Sequence, residues 1–234
     1  MLVERGLFES RARAQAAIAA GLVTANGAAV RKPSEQVASD AVLRAEPAHP
    51  WVSRGGVKLA AALDVFKIDP NGRVCLDVGA STGGFTEALL ARGAARIYAV
   101  DVGRDQLHAR LRGRREVIAL ECTDVRELDA AKVPEPVDIV VVDVSFISLK
   151  RVLPAALEFA SAQAALVALI KPQFEAERRH LKKGIVRDGA VHRSVCDDMA
   201  AVVGSLGWTV LGVTPSPIRG GDGNAEFLLG AARP

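Results

Sequence analysis

The chain has 234 residues, of which 50% are hydrophobic and 24% charged, a balance typical of globular proteins. A chain of this length buries enough apolar surface to fold without a disulfide or a metal, so disordered and fibrous classes are excluded. Three scattered cysteines without a Cys-x-x-Cys pair indicate a reducing compartment. Because the N-terminus also lacks a signal-peptide pattern, we expect a cytoplasmic protein. We also expect no metal site.

The net charge of +3 is carried by the first 58 residues, which hold eight basic and five acidic side chains. This asymmetry indicates an N-terminal nucleic-acid-binding module, although an ordinary solvated surface would give the same count. Aromatic residues make up 4% of the chain, with one tyrosine, which disfavours a base-stacking sheet. Any nucleic acid would therefore be held through its phosphates and its shape.

The first 46 residues predict a small unit made of a helix and a hairpin. Ser10 is the expected N-cap of a helix over residues 10–20. Residues 22–30 alternate about Asn26-Gly27, a strong hairpin signal, and a further short strand is expected at 40–44. Residues 47–54 contain two prolines and are expected to form a linker.

From residue 55 to residue 234, apolar strand-like runs alternate with helical stretches. The expected strands are Val74–Val78, Ile97–Asp101, Val117–Leu120, Val137–Val142, Leu166–Ile170, Trp208–Val213 and Phe227–Leu229. This alternation predicts the α/β class, with an open, mostly parallel sheet and helices on both faces. Since ligands of such sheets bind at the carboxyl ends of the strands, the chemistry is expected in the loops there.

A glycine-rich turn, Asp-Val-Gly-Ala-Ser-Thr-Gly-Gly-Phe at residues 77–85, follows the first of these strands and precedes a helix expected at 86–92. Glycines let a ligand approach the backbone, and a helix N-terminus favours an anionic group. The spacing matches neither the dinucleotide Gly-x-Gly-x-x-Gly pattern nor a P-loop. The turn therefore predicts a nucleotide-like ligand other than NAD or ATP.

Three aspartates follow successive strands beside this turn. Asp101 lies 24 residues after Asp77, where a carboxylate can accept hydrogen bonds from ribose hydroxyls. Asp124 could bind an adenine amino group, and Asp143 could serve either the ligand or the N-cap of a helix. The candidate cofactor-binding residues are Asp77, Gly79, Ser81, Gly83, Gly84, Phe85, Asp101, Asp124 and Asp143.

The best candidate for a membrane span is the apolar segment 152–170. Pro154, Glu158 and Gln163 interrupt it, and a spanning helix needs about 20 mostly apolar residues. We therefore expect no stable membrane association.

Several segments together resemble the signature segments of the TlyA (hemolysin A-like) family. In the catalytic part these are residues 77–85, 142–148, 170–175 and 223–227; residues 5–14, 21–27 and 32–34 are similar to an S4 RNA-binding domain. The resemblance implies an S-adenosylmethionine-dependent 2′-O-methyltransferase acting on cytidine of ribosomal RNA. It also implies an S4-like domain at residues 1–46, followed by an FtsJ/RrmJ-like catalytic domain with a Rossmann-like class I methyltransferase sheet.

The resemblance further implies a catalytic tetrad of Lys58, Asp143, Lys171 and Glu226. A ribose hydroxyl is a poor nucleophile, and a positioned base contributes about 10²–10⁴-fold. A lysine, whose usual pKa is about 10.4, could be that base if burial and a neighbouring ammonium lowered its pKa, while acidic partners would oppose this. Lys171 is thus either a base or a cation that orients the hydroxyl, with catalysis then resting on alignment.

Basic residues are the candidates for contact with ribosomal RNA or ribosomal subunits, the implied partners. They are Arg5, Arg11, Arg13, Arg31 and Lys32 in the N-terminal unit, and Arg178, Arg179, Lys182 and Lys183 in a loop that follows Lys171. Contacts of this kind predict binding that weakens steeply with salt.

Two alternative functions remain open. A membrane-acting hemolysin would require a spanning or strongly amphipathic segment, and none is convincing in this sequence. A non-catalytic RNA-binding or ribosome-assembly factor would keep the fold without the chemistry, and the presence of all four expected tetrad residues argues against it.

Overall fold

The computed structural model describes residues 1–233 and divides into two compact units, residues 1–50 and the chain from Trp51 onward. The elements of the first unit are α1 (Arg11–Ala19), β1 (Val23–Ala25), β2 (Ala28–Ala29) and β3 (Leu43–Ala45). Ser10 caps α1, as expected, by accepting a hydrogen bond from the Arg13 N–H. The three strands form an antiparallel sheet in the order β2-β1-β3.

Strand β3 begins three residues later than the sequence indicates. Asn26, in the turn between β1 and β2, has a positive φ of 49°. Its side-chain oxygen accepts a hydrogen bond of 2.8 Å from the Val42 N–H, and its own N–H donates to the Val42 carbonyl. Val42 is thereby bound to the turn rather than to a neighbouring strand.

The second unit alternates helices and strands over its whole length. Its elements are α2 (Gly55–Phe66), β4 (Val74–Val78), α3 (Gly84–Ala91), β5 (Arg96–Val100), β6 (Val117–Leu120), β7 (Val137–Val142), α4 (Leu149–Leu157), β8 (Ala160–Ile170), α5 (Pro172–Glu175), β9 (Leu181–Lys182), β10 (Ile185–Val186), α6 (Gly189–Ser205), β11 (Thr209–Pro215) and β12 (Phe227–Ala232). Strands β9 and β10 pair as a separate antiparallel hairpin.

The other seven strands form one sheet in the order β11-β12-β8-β7-β4-β5-β6. Strands β4 to β8 run parallel, and β12 is inserted antiparallel between β8 and β11. Helices cover both faces of the sheet. Successive residues of β7 point to opposite faces, and Ile139 packs with α2 and α3 whereas Val140 packs with α4 and α6. The expected α/β sheet with helices on both faces is confirmed.

The apolar segment 152–170 divides between α4 and β8. Strand β8 begins at Ala160, six residues before the expected start, because Ala160 pairs with Val137 and the Ser161 hydroxyl donates to Asp138. Within residues 1–233, no helix combines the length and apolar character that crossing a membrane requires.

Candidate functional site

The turn after β4 lies against the end of β7. Gly79 has a φ of 85°, and a Cβ at this position would collide with the Asp143 carbonyl oxygen. Gly84, the first residue of α3, is packed closely against Ser53 and the backbone of Gly56. Both positions therefore require glycine, which brings the backbone of the turn close to the strand ends.

Asp101 organises the neighbouring loops. It follows β5, and its two carboxylate oxygens accept hydrogen bonds from the N–H groups of Ser81 (2.8 Å) and Gly103 (2.7 Å). The carboxylate still has lone pairs for a ligand, since each oxygen can accept more than one hydrogen bond. Asp101 thus holds the glycine turn and remains available to ribose hydroxyls.

Two adjacent cavities open at the carboxyl ends of the parallel strands. The first, which we name the nucleotide cavity, has a volume of about 360 Å³ and is lined by Ser81, Asp101, Gln106, Thr123, Asp124 and Asp143, among others. The second, the catalytic cavity, has about 270 Å³ and is lined by Ser53, Arg54, Lys58, Thr82, Asp143 and Lys171, among others. Gly79, Ser81, Asp143 and Ser145 line both cavities, so a ligand in the first faces the second.

The nucleotide cavity offers two carboxylate acceptors, Asp101 and Asp124, to hydroxyl and amino donors of the kind that a nucleoside carries. Hydrogen bonds from Arg126 hold the pKa of Asp124 below its usual value, so this carboxylate is charged at neutral pH and can accept from an amino group. Gln106 was not expected from the sequence; its side-chain oxygen accepts a hydrogen bond from the Ser81 hydroxyl. It lies in a loop with no motif, which is why sequence reasoning missed it.

Asp77 is buried beneath the glycine turn and lines neither cavity. Thr86 donates a hydrogen bond of 2.6 Å to its Oδ2, whereas no hydrogen bond to its Oδ1 is found in residues 1–233. Burial, with a smaller contribution from the charge of Asp143, raises the pKa of Asp77 to about 7. Gly83 packs against Leu111 and lines neither cavity, whereas Phe85 packs within the α2–α3 core and also lines the catalytic cavity.

The four residues of the expected tetrad form two ion pairs. Lys58 of α2 lies 2.5 Å from Glu226, which directly precedes β12, and Lys171, after β8, lies 2.6 Å from Asp143, after β7. Both lysines and Glu226 are less than 10% exposed. A buried ammonium requires a carboxylate partner, and each lysine has its own. Lys58, Asp143 and Lys171 face the catalytic cavity, and Glu226 joins them through Lys58.

Two further contacts connect the segments that carry Asp143 and Lys171. The Lys171 ammonium donates to the Ser145 hydroxyl at 2.8 Å. At the other end, the Glu175 carboxylate accepts from the Ser148 hydroxyl (2.5 Å) and from the Leu149 N–H (2.7 Å), and so caps α4. The sequence motifs contain these residues, but their contacts across two loops are set by the tertiary structure.

The basic residues after Lys171 are exposed on and beside the β9–β10 hairpin. Asn224, which is 2% exposed, holds this hairpin: its oxygen accepts from the Val186 N–H (3.2 Å) and its amide donates to the Gly184 carbonyl (3.1 Å). Asn224 lies two residues before Glu226, so the hairpin that carries Lys182 and Lys183 is held by the segment that carries a residue of the expected tetrad.

In the first unit, the five basic candidates lie on the helix, at the N-terminus and after β2. Arg11, Arg31 and Lys32 are exposed and Arg13 is half-buried. Arg5 is exposed as well, but its guanidinium donates to the carbonyls of Ser39 and Ala41, so it also holds the segment before β3.

Comparison with known proteins decides the family. Residues 51–233 match the FtsJ-like methyltransferase model, and residues 1–43 match the S4 domain model. The chain is 44% identical over 231 residues to the 16S/23S rRNA (cytidine-2′-O)-methyltransferase TlyA of Mycobacterium tuberculosis, covering 97% of this chain and 86% of that protein. The chain belongs to the TlyA group of FtsJ-like methyltransferases. The resemblance stated from the sequence is confirmed, and with it the enzyme class and S-adenosylmethionine as the cofactor.

Solved structures agree with this assignment. A structure from Streptococcus thermophilus that carries the name hemolysin has a TM-score of 0.80 at 39% identity, covering 99% of this chain and 86% of that chain. A fibrillarin/Nop5p complex matches with a TM-score of 0.52 at 18% identity, covering 82% of this chain and 85% of that chain, and so shares the fold alone.

Proposed function

We propose that this TlyA-family enzyme methylates the 2′-hydroxyl of a cytidine in ribosomal RNA. The observation that carries the proposal is the Lys171–Asp143 ion pair, which lies where the nucleotide cavity meets the catalytic cavity. The cytidine and the ribosomal RNA come from the TlyA relative that is 44% identical. This substrate agrees with the cytoplasmic location expected from the sequence.

The nucleotide cavity binds the methyl donor. Asp101 accepts hydrogen bonds from the ribose hydroxyls, and Asp124 accepts one from the adenine amino group. Gly79 and Ser81, which line both cavities, place the backbone of the turn beside the reacting end of the donor. S-adenosylmethionine supplies an electrophilic methyl group bound to sulfur.

The catalytic cavity binds the target ribose. Lys171, paired with Asp143, donates a hydrogen bond to the 2′-oxygen and aligns it with the methyl group, since alignment is a large source of rate in a two-reactant transfer. The pairing favours the orienting role of Lys171 over that of a base. The hydroxyl loses its proton as its oxygen gains the methyl group and the methyl–sulfur bond breaks. The Asp143 carboxylate is the proton acceptor within reach, and it passes the proton to water. Lys58 lines the same cavity and is held by its ion pair with Glu226.

RNA is held by basic side chains outside this cavity. We propose that Arg178, Arg179, Lys182 and Lys183 contact phosphates near the target nucleotide, and that residues 1–46 act as a separate S4-like RNA-binding module through Arg5, Arg11, Arg13, Arg31 and Lys32. Arg54, which lines the catalytic cavity, is a further basic side chain close to the target.

The test supplies labelled S-adenosylmethionine to the enzyme with separated ribosomal subunits and with naked ribosomal RNA. We expect label in RNA, in a linkage that resists alkaline cleavage because the 2′-oxygen is blocked. Lys171→Ala should bind the cofactor but transfer no label. Alkali-sensitive label would indicate base methylation, and equal labelling by Lys171→Ala would support the non-catalytic alternative; either result overturns the proposal.

A further inference from the structure

Ser145 is an exposed residue that directly contacts the buried Lys171 ammonium. Its hydroxyl oxygen lies 2.8 Å from Lys171 Nζ, and Asp143 Oδ1 lies 2.6 Å from the same nitrogen. Ser145 lines both the nucleotide cavity and the catalytic cavity. The hydroxyl is therefore placed where donor and target meet, on the reacting side of Lys171.

The ammonium of Lys171 has three N–H donors. Ser145 accepts a hydrogen bond from one of them, while Asp143 Oδ1 lies 2.6 Å from the nitrogen as an ion-pair partner with no aligned hydrogen bond, so donors remain for a substrate oxygen. The ion pair alone would let the ammonium rotate about the Cε–Nζ bond, and no direction would be set for its N–H groups. The hydrogen bond to Ser145 removes that freedom.

The loop that carries Ser145 is held in place by contacts beyond it. The ring of Phe146 lies 5.1 Å from the ring of Phe174, and the Ser148 hydroxyl donates to Glu175 at 2.5 Å. Residues 145, 146 and 148 thus contact residues 171, 174 and 175 in succession. Although Ser145 is exposed, its backbone is fixed relative to Lys171 by the segments on both sides.

We propose that Ser145 is a positioning residue for methyl transfer. Its hydrogen bond, together with the ion pair to Asp143, orients the Lys171 ammonium so that another N–H of that ammonium points to the 2′-oxygen of the target ribose. The proposal rests on the proposed function, because it names a further residue of the same site. Ser145 itself forms no bond in the reaction.

The test compares Ser145→Ala with Ser145→Thr, which retains the hydroxyl. A matched control is Ser205→Ala, which removes an exposed hydroxyl at the end of α6, where its partner is the Val202 carbonyl. We expect Ser145→Ala to lower kcat about 10-fold, the effect of losing one hydrogen bond to a charged group, with KM for RNA and Kd for the cofactor changed less than about twofold. Ser145→Thr should recover most of the rate, and Ser205→Ala should match the wild type.

A second readout needs no RNA. Acetylation of Lys171 by acetic anhydride in the free enzyme, measured by mass spectrometry against the exposed Lys150, should rise several-fold in Ser145→Ala but not in Ser145→Thr. A wild-type kcat in Ser145→Ala, or unchanged acetylation of Lys171, would overturn the proposal. So would an equal loss in both variants accompanied by weaker cofactor binding, which would make Ser145 a wall of the cofactor site. If the wild type labels no RNA, the proposed function fails while acetylation still decides the role of Ser145.

Discussion

Lys58 and Glu226 are 168 residues apart in the chain, yet their side chains form an ion pair of 2.5 Å with both partners buried. The pair connects α2, which precedes the whole sheet, with the start of β12, the last strand inserted into it. Gly220 lies against the same carboxylate, so close that a Cβ at this position would be 2.5 Å from Glu226 Oε1. One wall of the catalytic cavity therefore depends on the last strand being in place.

Removing one partner of this pair should destabilise the enzyme more than removing both. Lys58→Met leaves Glu226 charged and buried, and Glu226→Gln does the same to Lys58, at a cost of about 3–5 kcal/mol each. The double variant should cost less than either single variant, because no buried charge is left unpaired. Urea unfolding of the four proteins measures this, and a double variant less stable than both single variants would contradict it.

The pH dependence of stability should carry the signature of Asp77. Its folded pKa of about 7 lies above the usual 3.8, so between these values the folded state holds a proton that the unfolded state has lost. The contribution of Asp77 to stability is therefore present below about pH 4 and is lost as pH rises to about 7, by an amount on the order of 3–4 kcal/mol. Asp77→Asn removes this dependence, so the free energy of unfolding of the variant should rise relative to that of the wild type between pH 5 and pH 8. Denaturant unfolding at both values checks this, and a difference that does not vary with pH would refute it.

Glu175→Ala should loosen the connection between the segment after β7, which carries Asp143, and the segment after β8, which carries Lys171. It removes the acceptor for Ser148 and for the Leu149 N–H at the start of α4, and loss of such a cap costs about 1–2 kcal/mol. We expect a lower Tm together with a lower kcat measured well below that Tm. Glu175→Gln, which keeps an acceptor oxygen, is the matched control, and its Tm and kcat should stay close to those of the wild type. A drop in Tm without any drop in kcat would restrict Glu175 to a structural role.

Gly79→Ala should abolish cofactor binding. The substitution strains a φ of 85° and also drives a Cβ into the Asp143 carbonyl oxygen. Gly72→Ala is the control, since Gly72 has a φ of 70° but nothing within 4 Å of an added Cβ, so strain alone costs about 1 kcal/mol. Calorimetric titration with S-adenosylmethionine should show binding for Gly72→Ala, as for the wild type, and no binding for Gly79→Ala. Equal affinities would mean that the approach of the turn to β7 is unimportant.

Lys182 and Lys183 should contribute to RNA binding through charge. Removing one cation that neutralises a phosphate should reduce the slope of log affinity against log salt by about 0.7–0.9, so Lys182→Ala with Lys183→Ala should flatten it by up to about 1.8. Lys132→Ala, at an exposed lysine in the loop between β6 and β7, should leave the slope unchanged. Filter binding of ribosomal RNA over a range of salt concentrations measures the slope. A slope that the hairpin variant leaves unchanged would exclude the β9–β10 hairpin from the RNA interface.

The order of elements in this enzyme was readable from the sequence. The apolar runs of β4, β5, β6 and β7 and the turn signals at Asn26 and Gly79 are local patterns, because strand alternation and positive φ depend on neighbouring residues. Strand β8 is longer than its apolar run predicts, since its first residues alternate alanine with Ser161 and Gln163 and join the sheet through Val137 and Asp138. Its true start depends on a neighbouring strand rather than on its own composition.

The candidate site likewise combines residues that sequence motifs predict with contacts that depend on the tertiary structure. The motifs make two lysines, an aspartate and a glutamate candidates from the sequence alone, because side-chain chemistry and local spacing are properties of the chain. That Lys58 pairs with Glu226, that Lys171 pairs with Asp143, and that Ser145 binds the Lys171 ammonium follows from the tertiary structure. These partners come from different loops, and a buried charge takes whichever partner the packing of the sheet brings within hydrogen-bond distance.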